Sequence, residues 1–172
     1  PAMVDPHFAR TLTLVCEHNE NGALGIVVNR PTDMNLQGLL EQVKILPDRG
    51  SFKGVPVHFG GPVQVDRGFV LHSQDWGGEG TIDVAGMFSV SGSLDVLRAI
   101  AEGRGPSVWQ VALGYAGWGP GQLEEEIAHD AWHVTSLDHR LLFDVEPAER
   151  WRWAMARDGI DPARIVAQGG TA

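Results

Sequence analysis

A thiol, a carboxyl group and an imidazole are adjacent in the chain at Cys16, Glu17 and His18. A cysteine with a nearby histidine is the smallest set that activates a thiolate nucleophile. In a β-strand, however, adjacent side chains point to opposite faces, and Cys16 shares its face with the apolar Leu12 and Leu14. The pattern therefore favours a buried, unreactive Cys16, with Glu17 and His18 at the exposed end of the strand.

Two histidines, His129 and His133, have the spacing of two zinc ligands on one face of a helix, and Asp130 follows the first. A zinc site needs a third protein ligand, and the sequence marks none. The helical pattern also ends near Asp130. We interpret these residues as polar groups at a helix end, and neither a metal nor a cofactor is predicted.

The Gly-rich residues 114–121 precede a helix, where backbone N–H groups can bind an anion. They lack the Lys-Ser/Thr pair of a phosphate loop and the Gly-x-Gly-x-x-Gly spacing of a dinucleotide site, and the glutamates at 124–126 would repel a phosphate. The glycines are therefore interpreted as a tight turn with Trp118 packed over it. Gln122 and Glu124 follow this turn.

Two arginines, Arg30 and Arg67, lie in turn-like sequences, and with His72 they could converge on an acidic ligand if their strands are neighbours. A local structural role at the turns is favoured. The serines of the chain have no Gly-x-Ser-x-Gly elbow, so serine hydrolysis is not indicated. The predicted contact surface comprises Glu17, His18, Asn29, Arg30, Asp66, Arg67, Trp118, Gln122 and Glu124.

The net charge bears on the class of partner. The 172 residues include 22 acidic and 13 basic side chains, which gives a formal charge of -9. Nucleic-acid backbones are bound mainly through Lys and Arg, so direct binding to DNA or RNA is not expected. The single Cys16 cannot form an internal disulfide, which favours the cytoplasm. No apolar run reaches the ~20 residues that cross a membrane.

Hydrophobic periodicity places these groups on alternating strands and helices. Strands are predicted at residues 11–16, 23–28, 55–59, 68–73, 81–91 (one or two short strands), 107–116 and 132–137, the first two as a hairpin and the fourth entered through a turn at 65–68. Helices are predicted at residues 35–45, 93–103, 121–130 and 147–157. The elements do not follow a regular βαβ repeat, so an α+β fold with a mixed sheet is predicted.

Several motifs rich in Gly, Pro and Trp extend along the whole chain. They are Met3-x-Asp5-Pro6-x-Phe8-x-Arg10-Thr11, Cys16-Glu17-His18-Asn19, Gly22-Ala23-x-Gly25-Ile26-Val27-Val28-Asn29-Arg30-Pro31, Phe59-Gly60-Gly61-Pro62-Val63, Asp66-Arg67-Gly68-Phe69-Val70-Leu71-His72, Gly114-Tyr115-Ala116-Gly117-Trp118, Gly121-Gln122-Leu123-Glu124-x-Glu126-Ile127 and the more weakly matching Trp132. Together they resemble the YqgE/AlgH family of bacterial proteins. The positions of His129, Asp130 and His133 depart from that pattern.

The resemblance implies a single domain over residues 1–172, with a bifurcated, partly barrel-like β-sheet surrounded by helices. Members of the family usually have an apolar strand before the position of Met3, so a short N-terminal segment is expected to be missing here. The resemblance also implies a role in transcriptional regulation. It implies no particular chemistry.

Three functional hypotheses follow. The first is a non-catalytic regulatory or binding protein that affects transcription indirectly, through a protein partner or a small ligand. The alternative is an enzyme whose site is assembled from turns and uses Cys16 with His18, or His72. The third is an interaction module that forms a homo-oligomer. The sequence identifies neither the ligand nor the partner.

Overall fold

A single branched β-sheet and the helices around it form the part of the chain that the computed structural model describes, residues 8–47 and 50–161. The predicted Met3, Asp5 and Pro6 motif lies outside these residues. The eight strands are β1 (Thr13–Asn19), β2 (Gly22–Val27), β3 (Pro31–Asn35), β4 (Pro56–Phe59), β5 (Val63–His72), β6 (Ile82–Val84), β7 (Phe88–Ser91) and β8 (Trp109–Trp118). The helices are α1 (Leu36–Gln42), α2 (Leu94–Ala101), α3 (Gln122–Ala128), α4 (His139–Phe143) and α5 (Pro147–Arg157).

Strands β1 and β2 form the predicted antiparallel hairpin. Asn19 pairs with Gly22, which leaves only residues 20–21 in the turn. Leu14 and Cys16 are buried on one face of β1, as the alternating pattern predicts. The hairpin therefore places Glu17 and the residues after it at its exposed tip.

Strand β8 is the branch point of the sheet. The strands follow the order β1-β2-β8-β5-β7-β6, and β4, which also pairs with β3, joins β8 as an additional parallel neighbour. The residues of β8 near Ala112 lie between β4 and β5, whereas those near Trp118 pair with β2. The sheet curls into a nearly closed barrel, which confirms the predicted α+β fold with a bifurcated, partly barrel-like sheet.

Three glycines allow this branching, and we call them the glycine junction: Gly60, Gly61 and Gly114. A Cβ atom at Gly60 would lie 2.3 Å from the Gly114 oxygen, and one at Gly114 would lie 2.2 Å from the Gly61 oxygen. Gly114 also has a φ of +80°, which L-residues rarely adopt. The backbones can cross only because no side chain separates them.

The hydrophobic side chains of the described residues form three clusters. The first contains Leu14, Cys16, Ile26, Val28, Phe69, Leu71, Val84, Phe88, Val90, Ala112 and Leu142. The second packs α1 and α2 against β4, β5 and β8. The third contains Ala116, Trp118 and Leu123, so it joins α3 to the end of β8. In α2 the predicted Leu97 and Ile100 are buried, but Leu94 is 43% exposed.

Three sequence-based predictions of local structure are wrong. Residues 114–118 do not belong to the tight turn before α3, because β8 runs through them, and only residues 119–121 form the turn. Residues 65–68 do not form a turn, because β5 runs through them with a bulge between Val63 and Gly68. Residues 132–137 do not form a strand, because no neighbouring strand pairs with them. Strand β3 and helix α4 were not predicted.

Candidate functional site

Part of the predicted contact surface meets where the hairpin tip approaches α3. His18 Nε2 contacts Glu124 Oε1 in an exposed ion pair. The Glu124 backbone N–H, and then His18, lower the pKa of that carboxyl. The Gln122 side chain accepts a hydrogen bond from the Gly119 N–H at 2.9 Å, which closes the turn before α3. Glu17 lies exposed near the hairpin tip.

Asn29 and Arg30 bind backbone that precedes β1. The Asn29 side chain accepts from the Leu12 N–H at 2.8 Å and donates to the Arg10 oxygen at 3.0 Å. Arg30 donates to the oxygen of Ala9. Both side chains therefore have local partners.

Asp66 and Arg67 occupy the exposed bulged part of β5. The Arg67 guanidinium lies 5.0 Å from the centre of the Phe69 ring. The structure thus distributes the predicted contact residues over three places: the hairpin tip with α3, the segment before β1, and the bulge in β5.

Cys16 lies in the first hydrophobic cluster and is only 8% exposed. Burial, with a smaller effect from Glu17, raises its thiol pKa to about 12. The thiolate is the nucleophilic form of cysteine, so the environment suppresses reactivity instead of promoting it. His18 is in an ion pair with Glu124 and is not hydrogen-bonded to Cys16.

His72 is fully buried and belongs to a chain of hydrogen bonds. Its Nδ1 lies 2.7 Å from the Ser73 carbonyl oxygen, which can only accept, so Nδ1–H donates. Nε2 of the neutral ring then accepts from Ser91 Oγ–H at 2.7 Å, and Ser91 lies 2.8 Å from Thr81 Oγ1. Burial lowers the His72 pKa. Because Ser91 is 1% exposed, a substrate has no access to this pair.

The two histidines with zinc-like spacing have separate partners. Helix α3 ends at Ala128, before His129, whose Nδ1–H donates to the Glu125 oxygen at 2.8 Å. His133 Nε2 lies 2.7 Å from Asp158 Oδ2, and this hydrogen bond is the main cause of the lowered Asp158 pKa. Across residues 8–47 and 50–161 no group of three or more His, Cys, Asp or Glu could hold a metal.

A buried polar network that the sequence analysis missed lies at Arg150, Gln110 and His58, which are 5%, 8% and 5% exposed. Arg150 of α5 donates to the oxygens of Val145 and Val28, and to Gln110 Oε1 at 2.7 Å. Neither ring nitrogen of His58 makes a hydrogen bond of good geometry within the described residues, and a weak contact with the Val111 backbone offsets only part of the shift in its pKa. Burial, and then the nearby Arg150, lower the His58 pKa to about 4, so the ring is neutral at pH 7.

A cavity of about 320 Å³, which we call the seam cavity, lies beside β1. Its walls are mostly apolar. They comprise residues 11–16, Val28, Val84, Ala85, Trp118, Leu123, Ile127, residues 132–137, Leu141 and Leu142. Trp118 is therefore the one member of the predicted contact surface that lines it. None of the residues suspected of binding an acidic ligand does.

The seam cavity runs along the edge of β1 and not along one face. Successive side chains of a strand point to opposite faces, so a cavity that contacts every residue from 11 to 16 must border the edge. Strand β1 pairs with β2 on its other edge and, within the described residues, with no strand on this one. Strand β6, at the other end of the sheet, lies near β1 without pairing with it, so hydrogen bonds do not close the barrel between these two described strands.

Three polar atoms near the seam cavity are buried without a hydrogen-bond partner: Thr13 Oγ1, Trp132 Nε1 and Glu126 Oε2. Thr13 and Trp132 line the cavity, and Glu126 precedes the lining residue Ile127. A buried polar atom without a partner destabilises the fold by about 1–3 kcal/mol. All three atoms are closed to solvent, so a ligand in the cavity would not reach them without a rearrangement of their surroundings.

The sequence of the chain is similar to those of known proteins. The chain matches the model of the AlgH-like family over residues 1–163. It belongs to the AlgH-like family. The UPF0301 proteins of Novosphingobium aromaticivorans and Thioalkalivibrio sulfidiphilus are 51% and 47% identical to it, over the whole of this chain and 92% of each relative.

Two solved structures have the same fold. The solution structure of the AlgH protein from Pseudomonas aeruginosa aligns with a TM-score of 0.80 and 45% identity, covering 100% of this chain and 91% of that one. A Corynebacterium diphtheriae protein aligns with a TM-score of 0.71 at 20% identity, over 90% of this chain and 81% of that one, which shows the fold alone. In this AlgH-like chain, none of the described helices is long and apolar enough to cross a membrane.

Proposed function

We propose that this protein is a non-catalytic binding protein and that it holds its ligand or partner in the seam cavity. The proposal rests on the cavity, which has a volume of about 320 Å³ and mostly apolar walls. It opens beside the edge of β1 with which no described strand pairs. Ligand pockets are typically concave and apolar, with a few polar groups that orient the ligand, and begin at about 300 Å³. Thr11, Thr135 and Ser136 line the cavity and supply polar side chains.

The candidate reactive groups give the enzymatic alternative no support. Cys16 has a thiol pKa of about 12, and His72 and Ser91 are closed to solvent. The proposed activity is therefore binding, in the cytoplasm, with any effect on transcription passing through the bound protein or ligand.

A neutral apolar dye, N-phenyl-1-naphthylamine, tests this role. We expect its fluorescence to rise on binding and the dissociation constant to increase at least tenfold in Val134→Glu, because a carboxylate is poorly accommodated at an apolar wall. Val134 lines the cavity and is 67% exposed, so the variant should fold. Val65→Glu is the matched control, since Val65 is 56% exposed and lies outside the cavity.

Absence of dye binding, or equal binding by both variants, would overturn the proposed role of the cavity. The indirect action on transcription has a separate test, which is the anisotropy of a labelled promoter duplex at about 0.15 M salt. With a net charge of -9 we expect no binding. Tight binding that weakens steeply as salt increases would show direct contact with phosphates.

A further inference from the structure

The chemistry of the occupant can be deduced from the backbone around the seam cavity, on the basis of the binding role proposed above. We propose that the occupant is an extended peptide strand of a partner protein, with apolar side chains at alternate positions and at least one Lys or Arg. It pairs with the free edge of β1.

The first argument is the direction of the hydrogen-bonding groups on β1. Thr13 lies opposite Val27, and the Val27 N–H points away from β1, to the Gly60 oxygen at 2.8 Å. Opposite residues of an antiparallel pair exchange either both hydrogen bonds or neither, so Thr13 directs its N–H and C=O to the free edge. Val15, two residues further along, does the same. These groups border the cavity.

The second argument is the opposite wall. Residues 132–137 all line the cavity, and they belong to neither a helix nor a strand. The outer edge of β1 and the irregular residues 132–137 therefore border the same apolar gap. A small apolar molecule would leave the outward N–H and C=O groups of Thr13 and Val15 without partners, whereas an added strand supplies donors and acceptors along its length.

The third argument is charge. Helix α3 contributes Leu123 and Ile127 to the cavity and has glutamates at 124–126, with Asp130 just beyond its end. The basic groups nearby are already engaged: His18 with Glu124, and Arg157 with Thr135, Ser136 and Asp138. An ammonium or guanidinium group on the occupant would complement this side of the cavity.

The probe is the peptide acetyl-Lys-Val-Thr-Val-Thr-Val-Lys-amide, titrated into the full chain and followed by amide hydrogen exchange. We expect exchange of the Thr13 and Val15 amides to slow at least tenfold, because a new strand protects them. One control replaces both lysines with glutamates and should bind at least tenfold more weakly. Two others are N-methylated at odd or at even positions, and the one that loses the N–H groups facing β1 should not bind.

Val15→Pro removes one outward N–H, and proline is tolerated on an edge strand whose N–H faces outward. We expect it to weaken peptide binding at least tenfold, whereas the matched Val15→Thr variant, which keeps both the N–H and the β-branched shape, should bind normally. Equal binding by the two variants, or by the glutamate peptide, would overturn the proposal.

The apolar dye separates this proposal from the function on which it rests. If the dye binds and no peptide does, the occupant is a small apolar molecule and the strand proposal is wrong. If neither binds, both proposals fail. If the mass from light scattering increases with concentration and Val15→Pro abolishes the increase, a second copy of the chain is the occupant, which also overturns the proposal.

Discussion

The glycine junction and the seam cavity lie on opposite sides of β2. Backbones approach one another very closely at the junction, whereas a strand edge borders open space at the cavity. At the junction, Gly60 and Gly114 bring backbones so close that no Cβ would fit. At the cavity, no strand of residues 8–47 and 50–161 pairs with the outer edge of β1, and within the same residues Thr13 Oγ1 has no hydrogen-bond partner. The family motifs contribute to both regions: Gly60, Gly61 and Gly114 form the junction, whereas Trp118, Leu123 and Ile127 line the cavity.

The largest effect is expected at the junction. Gly114→Ala would place its Cβ 2.2 Å from the Gly61 oxygen at a φ of +80°, so we expect a loss of at least about 4 kcal/mol in the free energy of unfolding, measured with urea. Gly80→Ala is the control, because Gly80 has a φ of +78° with nothing within 4 Å of its Cβ position. It should lose only about 1 kcal/mol. Similar losses in both would show that backbone conformation, and not close approach, explains the junction.

The next effect concerns Cys16, which lines the seam cavity. A thiol pKa of about 12, instead of 9.0, leaves roughly a thousandfold less thiolate at neutral pH. We expect the rate of disulfide exchange with a chromogenic reagent to rise tenfold per pH unit up to pH 10, without a plateau. The urea-unfolded chain should react far faster at pH 8. A plateau of this rate near neutral pH would show that Cys16 is a reactive thiolate, which would contradict a purely binding role for the seam cavity.

A smaller effect is expected from His58, on β4 beside the junction. Its pKa is about 4 in the folded chain and 6.5 in the unfolded one, so the unfolded state binds the proton first as pH falls. The associated stability is present above pH 6.5 and is lost between 6.5 and 4. We expect the wild type to lose about 3 kcal/mol more than His58→Gln between pH 7 and pH 4 in urea titrations. Parallel pH profiles would contradict the assignment to His58.

The smallest effect is expected at the hairpin tip. His18→Ala removes the ion pair with Glu124, but both side chains are exposed and solvent screens them. The thermal midpoint should stay within measurement error, and 1 M NaCl should shift the midpoints of the variant and the wild type equally. Unchanged dye binding in the same variant would show that the hairpin tip does not contribute to binding at the seam cavity. Weaker binding would show that it does.

The sequence predicts the strands and helices that are specified by residues close together in the chain. The β1–β2 hairpin, the second helix with its stop at Gly103, and the last helix that begins at Pro147 all follow local rules of turns, caps and periodicity. The short β3 and α4 have weaker local signals, although the Asp138 side chain caps α4 by accepting from the Arg140 N–H. They form because of what they pack against.

The candidate site escaped prediction because it depends on distant pairing. Residues 132–137 have an alternating pattern and yet form no strand, since β1, more than a hundred positions earlier, does not reach them across the cavity. Arg150 escaped for the opposite reason: a charged residue in a surface-like helix is expected to be exposed, but it is buried against Gln110. Trp118, which the sequence predicts to pack over a turn, is the last residue of β8 and lines the cavity.

The three-way pairing of β8 also fixes the order in which the sheet can be completed as the chain leaves the ribosome. Strands β2, β4 and β5 all pair with β8, residues 109–118, which the ribosome synthesises after the other three. Until that segment emerges, the hairpin and the α1 region expose unpaired edges, a hazard for aggregation. Synthesis of β8 is therefore the event that turns several exposed fragments into one protected sheet.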